Sequence, residues 1–122
     1  MKVRIQGNSF RFRLKQPEVD RFIAAGSITE AVEFGAATES SLSFVLEVTQ
    51  QEKFSVAFQS NKVIFYVPAG ISDKWMSTNS TGFEKWIDNG PGRKMKLLVE
   101  KDFRCMEACA EDNAGSYEQP FH

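Results

Sequence analysis

The sequence predicts an α+β domain, mainly antiparallel β: a strongly curved sheet or small barrel of about eight strands with one or two short helices. Three observations lead there. Apolar and polar residues alternate with period two along most of the chain, as half-buried strands require. Turn signals of a few residues separate these runs, so successive strands read as hairpins. The 122 residues, 42% hydrophobic and 25% charged, suffice for one core and not for two, which makes residues 1–122 a single domain. Eight strands in so short a chain favour curvature or closure over a flat sheet, because open edges invite mispairing.

Lys2–Gln6 and Ser9–Leu14 form the first hairpin. Gly7 at the first central position of a two-residue loop suits a type II′ turn. That turn sets Ile5 opposite Phe10, Arg4 opposite Arg11, Val3 opposite Phe12 and Lys2 opposite Arg13. Opposed residues share a side of the sheet. One side is then Val3, Ile5, Phe10, Phe12 and Leu14, and the other Lys2, Arg4, Gln6, Ser9, Arg11 and Arg13. A one-residue slip would mix the two sets, so the register is well specified. Residues 17–26 form a helix, with Pro17 in the first turn, Gly26 just past the end, and Val19, Phe22 and Ile23 as its apolar stripe. Ile28 to Gly35 reads as a weaker strand with Val32 and Phe34 facing inward.

Leu42, Phe44, Leu46 and Val48 alternate with Ser43, Val45 and Glu47. A three-residue loop, Gln50 to Glu52, leads to a strand carrying Phe54, Val56 and Phe58, so that Phe44 lies opposite Phe58 and Leu46 opposite Val56. A Ser60-Asn61 turn sets Phe58 opposite Val63 and Val56 opposite Phe65. These three strands share one apolar face, and each of its side chains contributes ~1.5–3 kcal/mol when fully buried, set against the entropy of ordering it. A short helix follows Pro68 near residues 71–76, with Ile71 and Trp75 on one side. After the polar loop 77–82, Phe83 to Ile87 and Arg93 to Glu100 form a last hairpin. Phe103 to Ala110 reads as either an extra strand or a short helix. No internal repeat is apparent.

The formal net charge is −1, too small to steer a partner by bulk electrostatics. Its distribution is uneven. Residues 1–15 carry Lys2, Arg4, Arg11, Arg13 and Lys15 and no acid, whereas the tail from Glu100 is acidic, with Glu111-Asp112 its densest pair. The hairpin register sets Arg4 against Arg11 and Lys2 against Arg13, and like charges directly opposite are destabilising. Something negative is therefore expected over this face. Three candidates follow: carboxylates of neighbouring strands (Glu30, Glu33 or Glu47), the folded-back acidic tail, or an external anion, since arginine's planar fork suits phosphate and carboxylate.

Other chemistries find little support. Cys105 and Cys109 form a CxxxC that with His122 offers three zinc ligands, where a structural site takes four, so neither a metal nor a cofactor is expected. His122 is the sole histidine and a terminal residue, a poor basis for a nucleophilic triad. Gly90-Pro91-Gly92-Arg93-Lys94 lacks the spacing of a phosphate loop. Phe10-Arg11-Phe12-Arg13 interleaves aromatics with cations, but in a strand the two types face opposite ways, so these Phe cannot stack bases beside the Arg; this disfavours nucleic acid. Trp75 and Trp86 read as lids over the core or as partner anchors. Triphosphate-tunnel enzymes open on a strand of alternating Glu, whereas the first acid here is Glu18. PilZ domains carry a [DN]xSxxG segment that Asn79-Ser80-Thr81-Gly82 does not match. No run of about 20 apolar residues is present to span a bilayer, and neither a secretory leader nor a disulfide framework is seen, so a cytoplasmic location is expected.

The opening Val3-Arg4-Ile5-Gln6-Gly7-Asn8-Ser9-Phe10-Arg11-Phe12-Arg13-Leu14, followed by Glu18-Val19, resembles the start of an uncharacterised family of small, single-domain bacterial proteins. Leu97-Leu98-Val99-Glu100-Lys101-Asp102-Phe103-Arg104-Cys105, with Glu111-Asp112, Tyr117 and Pro120, is similar to that family's C-terminus. The likeness spans essentially the whole chain and implies a single domain of unknown function. Lys15 departs from it, standing where a Thr helix cap is expected. Taken together, the residues favour a non-enzymatic binding or interaction domain, monomeric or an edge-paired homodimer. Its site is the basic hairpin face, Arg4, Arg11 and Arg13 with Lys2 as an auxiliary, engaging an anionic ligand or an acidic protein surface. The alternative is an enzyme acting on a phosphorylated or acidic small molecule, which needs an acid such as Glu33, Glu111 or Asp112 beside those arginines.

Overall fold

The computed structural model describes residues 1–77, 81–88 and 90–102. Its elements run β1 (Lys2–Gln6), β2 (Ser9–Leu14), α1 (Gln16–Ala25), β3 (Ser27–Glu33), β4 (Ser41–Thr49), β5 (Ser55–Gln59), β6 (Lys62–Pro68), α2 (Ala69–Ser77), β7 (Gly82–Asp88) and β8 (Lys94–Lys101). The fold is α+β and mainly antiparallel. The strands divide into two four-stranded sheets, ordered β1-β2-β8-β7 and β3-β4-β6-β5, and no closed barrel is found among the described residues.

The first hairpin has the expected register: Lys2 pairs with Arg13, Val3 with Phe12, Arg4 with Arg11 and Ile5 with Phe10. Gly7 has φ +58 while Asn8 stays out of the positive region, as a II′ turn requires. At the β5–β6 turn both Ser60 (φ 51) and Asn61 (φ 62) are left-handed, the I′ alternative, and Val56 again meets Phe65 and Phe58 meets Val63. Helix α1 starts under Pro17 and stops at left-handed Gly26, whose N–H donates to the Phe22 carbonyl. Lys15 offers no side-chain cap; Glu18 accepts from its backbone N–H at 2.9 Å instead, which is the glutamate half of a capping box. Glu18 also takes the Met1 ammonium, which Glu30 shares.

Three expectations are corrected. Strand β4 does not form a hairpin with β5. It pairs in parallel with β6, Phe44 beside Val63 and Leu46 beside Phe65, so β6 lies between them. The apolar face itself is as expected, because which side a residue faces follows from period two within its own strand and not from the neighbour chosen. Val32 and Phe34 are not buried: Val32 keeps the inner side of edge strand β3, opposite Leu42, but is 44% exposed near the strand's end, and Phe34, just beyond it, is 73% exposed. Finally, the chain does contain a repeat.

That repeat is ββαββ. Elements β1, β2, α1 and β4 recur 53 residues later as β5, β6, α2 and β8 (Lys2 to Ser55, Ser9 to Lys62, Gln16 to Ala69, Ser41 to Lys94), and β3 recurs as β7 with two extra residues before it (Ser27 to Gly82). Exchanging the halves turns the order β1-β2-β8-β7 into β5-β6-β4-β3, the second sheet. Register is kept too: Ser9 beside Lys96 becomes Lys62 beside Ser43, and Trp86 beside Lys96 becomes Ala31 beside Ser43. Sequence identity at this spacing is thin (Val3/Val56, Gln6/Gln59, Asn8/Asn61, Phe12/Phe65, Glu47/Glu100 among few others), so the repeat is carried by pattern rather than residue type.

The core joins the inner faces of both sheets with the two helices: Phe12, Leu14, Leu97, Val99 and Ile87 from one, Ile28, Phe44, Leu46 and Phe65 from the other, and Val19, Phe22 and Trp75 from the helices. Trp75 is 2% exposed, the lid role expected of one tryptophan. Among the described residues no helix is long and apolar enough to cross a membrane. Cys105, Cys109, Glu111, Asp112 and His122, and the 103–110 segment, lie outside the described residues.

Candidate functional site

The outer face of the first sheet carries the cations. Pairing across β1, β2, β8 and β7 arranges its residues in three rows: Gln6, Ser9, Lys96 and Trp86; Arg4, Arg11, Leu98 and Glu84; Lys2, Arg13, Glu100 and Gly82. Arg4, Arg11, Arg13 and Lys2 are thus brought to one surface, as the alternation requires. Lys96 joins them from β8, since the parallel β2–β8 pair places it beside Ser9.

Among the described residues the negative charge over this face comes from a neighbouring strand, but not from Glu30, Glu33 or Glu47, all of which stand on the second sheet; the acidic tail beyond residue 102 lies outside the described residues. The charge is that of Glu100 of β8. One carboxylate oxygen, Oε1, accepts from Arg11 Nε at 2.7 Å and from Arg13 Nε at 3.0 Å. The parallel register sets Glu100 directly beside Arg13 and diagonal to Arg11, which is why it reaches both. Glu100 is only 19% exposed against 35% and 36% for the arginines, so the carboxylate sits low and the guanidiniums spread above it. Lys96 pairs with Glu84 at 2.9 Å.

In these three rows two carboxylates face five cations, and Lys94 beside Asp88 adds one charge of each sign at the end of the β7–β8 pair. Among the described residues no carboxylate lies within 4 Å of Arg4 or Lys2. A shallow depression of about 170 Å³ opens beside Arg4 and Arg11, bordered by Gln6, Ser9, Lys96 and Leu98. Its rim holds guanidinium, ammonium, amide and hydroxyl donors. Such a set fits a planar or tetrahedral oxyanion, with Arg11 oriented in advance by Glu100. Among the described residues there is no group of three or more His, Cys, Asp or Glu side chains that holds a metal.

The second sheet supplies an internal comparison. Its rows, in the equivalent order, are Gln59, Lys62, Ser43 and Ala31; Ala57, Ile64, Val45 and Thr29; Ser55, Tyr66, Glu47 and Ser27. The positions of Lys2, Arg4, Arg11 and Arg13 are held there by Ser55, Ala57, Ile64 and Tyr66. Val45 and Ile64 are 8% and 9% exposed, so the middle row of an outer face of this fold is covered well with uncharged residues. The same backbone needs no cation at any of the four positions.

Glu100 and Lys96 were not legible as residues of this face, and Trp86, read as a lid or a partner anchor, was not legible as sharing it. Their own strands show the alternation that puts Lys96, Leu98 and Glu100 on one side, but only the β2–β8 pairing tells which hairpin they join. Trp86 does not cover the core; it is 62% exposed, in the middle of β7 on the cationic face, with Lys96 Nζ 5.8 Å from its ring centre. Of the acids proposed to complete a catalytic site, Glu33 ends a strand of the other sheet, while Glu111 and Asp112 lie outside the described residues.

A family model described as a family of unknown function (DUF7009) matches residues 1–121. No curated protein and no solved structure matches the chain.

Proposed function

Since the chain belongs to that family of unknown function, which has no activity to pass on, we propose from its own geometry that it is a small binding domain whose first sheet holds an anionic group on its outer face. Arg4 is the primary contact, because among the described residues no carboxylate pairs with it. Arg11 presents the guanidinium edge that Glu100 leaves uncovered, Arg13 and Lys2 extend the positive surface, and Lys96 closes the depression from β8. What supports this reading is the contrast between two sheets of one design. Opposed arginines cost stability, their equivalents in the second sheet are uncharged, and among the described residues one glutamate between two guanidiniums leaves the face positive.

Calorimetry with inorganic phosphate, tripolyphosphate and a poly-glutamate peptide tests the proposal. Binding should weaken as salt is raised, and Arg4→Ala should weaken it about tenfold, the loss of one charge-assisted hydrogen bond at ~1.5 kcal/mol. Absence of heat with all three, or an unchanged profile for Arg4→Ala, would remove it.

A further inference from the structure

The indole of Trp86 stands on the same surface as the proposed anion site, and among the described residues it does not pack against the hydrophobic core. Its equivalent in the second sheet is Ala31, paired with Ser43 as Trp86 is with Lys96. An alanine thus satisfies the strand at that position. A large exposed aromatic that neither packs the core nor occupies a position requiring one calls for another partner. Phe10 and Phe12, the aromatics nearest the cations in sequence, are turned inward, Phe12 being fully buried. The ring that does share the cationic face arrives from β7, by way of the parallel β2–β8 pair.

The spacing restricts what spans these groups. Lys96 lies in Trp86's own row on the adjacent strand, and Arg11 lies one strand further and one row along. With strands ~4.8 Å apart and ~3.3 Å per residue, the Trp86 and Arg11 backbones are roughly 12 Å apart, a gap that their long side chains narrow from both ends. The Lys96 backbone lies between them, its Nζ 5.8 Å from the Trp86 ring centre and 2.9 Å from Glu84. A flat ring laid on the indole would therefore carry its anionic substituent past Lys96 into the depression beside Arg11 and Arg4.

Resting on the anion-binding reading, we infer that the ligand is a nucleoside phosphate, its base stacked on Trp86 and its phosphate held by Arg4, Arg11 and Lys96. This chemistry is shared by a free nucleotide and by single-stranded nucleic acid, where base–aromatic stacking joins phosphate contacts in the same way.

The test compares tripolyphosphate, ATP, UMP and an eight-residue oligouridylate on the full chain and on Trp86→Ala, by calorimetry and by quenching of tryptophan emission. Trp75 is buried, so quenching reports Trp86. The expected result is tighter binding of a base-bearing ligand than of tripolyphosphate, with quenching, and a loss of about 5- to 150-fold in Trp86→Ala that leaves tripolyphosphate affinity unchanged. Preference for the oligomer over UMP identifies single-stranded nucleic acid as the source; preference for ATP identifies a free nucleotide. Equal affinity for ATP and tripolyphosphate, with no effect of Trp86→Ala, overturns the inference and leaves the anion site standing. No binding of any probe overturns both. Ala at position 86 is the residue the other sheet already uses in that place, so the variant should fold, and its melting temperature verifies that it has.

Discussion

Phe12 and Phe65, 53 positions apart, meet edge to face at the centre of the core with ring centres 5.5 Å apart, and exchanging the two halves of the chain maps this contact onto itself. The same holds for Phe22 of α1 and Trp75 of α2, 6.3 Å apart. Contacts that map onto themselves lie where the halves join, so these two aromatic pairs are the seam of the ββαββ repeat.

Phe12 and Phe65 are both fully buried and occupy one position in two copies. We expect Phe12→Ala and Phe65→Ala to destabilise the fold similarly, by ~3–5 kcal/mol each. Because they are in contact, the double variant should cost less than the sum. Urea denaturation of the four proteins checks this; strictly additive costs would mean that the pair is not a shared seam.

Arg4→Ala should leave stability unchanged or slightly raised, within ~0.5 kcal/mol. The substitution removes a like charge set against Arg11, and Ala57 holds the equivalent place in the other sheet. Thermal melts at low salt provide the measurement. A loss above about 1 kcal/mol would show that Arg4 has a structural role, which surface charges seldom have.

Glu100→Gln should act in the opposite direction on stability. It removes the one carboxylate between Arg11 and Arg13, leaving two guanidiniums to repel, at a cost of ~1 kcal/mol for a half-exposed network. Added salt should recover part of that loss by screening. Phosphate affinity should rise, since Arg11 is freed from an internal competitor. Melting curves with and without salt, beside a phosphate titration, separate the two effects.

Gly82→Ala should be among the more damaging small changes. A Cβ at Gly82 would run into the Val99 carbonyl oxygen and lie 2.9 Å from the Glu100 Cα, in the β7–β8 pair that positions Glu100. Overpacking of this kind costs ~1–3 kcal/mol. Chemical denaturation gives the number, and Ala tolerated without loss would mean that β7 has room to shift.

Much of this was readable from the residues. The first hairpin's turn type, its register and its division into apolar and basic sides all follow from Gly7 and a strict alternation over the eleven residues of its two strands, because a slip of one would invert every side chain. Helix α1 followed from Pro17, Gly26 and one apolar stripe. The proposed site was half legible: that its arginines share a face follows from the alternation, while Glu100, Lys96 and the placing of Trp86 on that face were not, since they join it only through a strand pair that crosses most of the chain.

The chain's own order of residues decides where each strand lies, which way its side chains point and that four cations share a surface, since these are local properties of a period-two backbone. Which strands become neighbours was decided in three dimensions. The parallel pairs β2–β8 and β4–β6 depend on burying two apolar faces against each other across long stretches of intervening chain, and no local pattern encodes that choice. It is the same choice that sets Glu100 beneath two arginines and Trp86 on their face, and that makes two halves with few residues in common one repeated design.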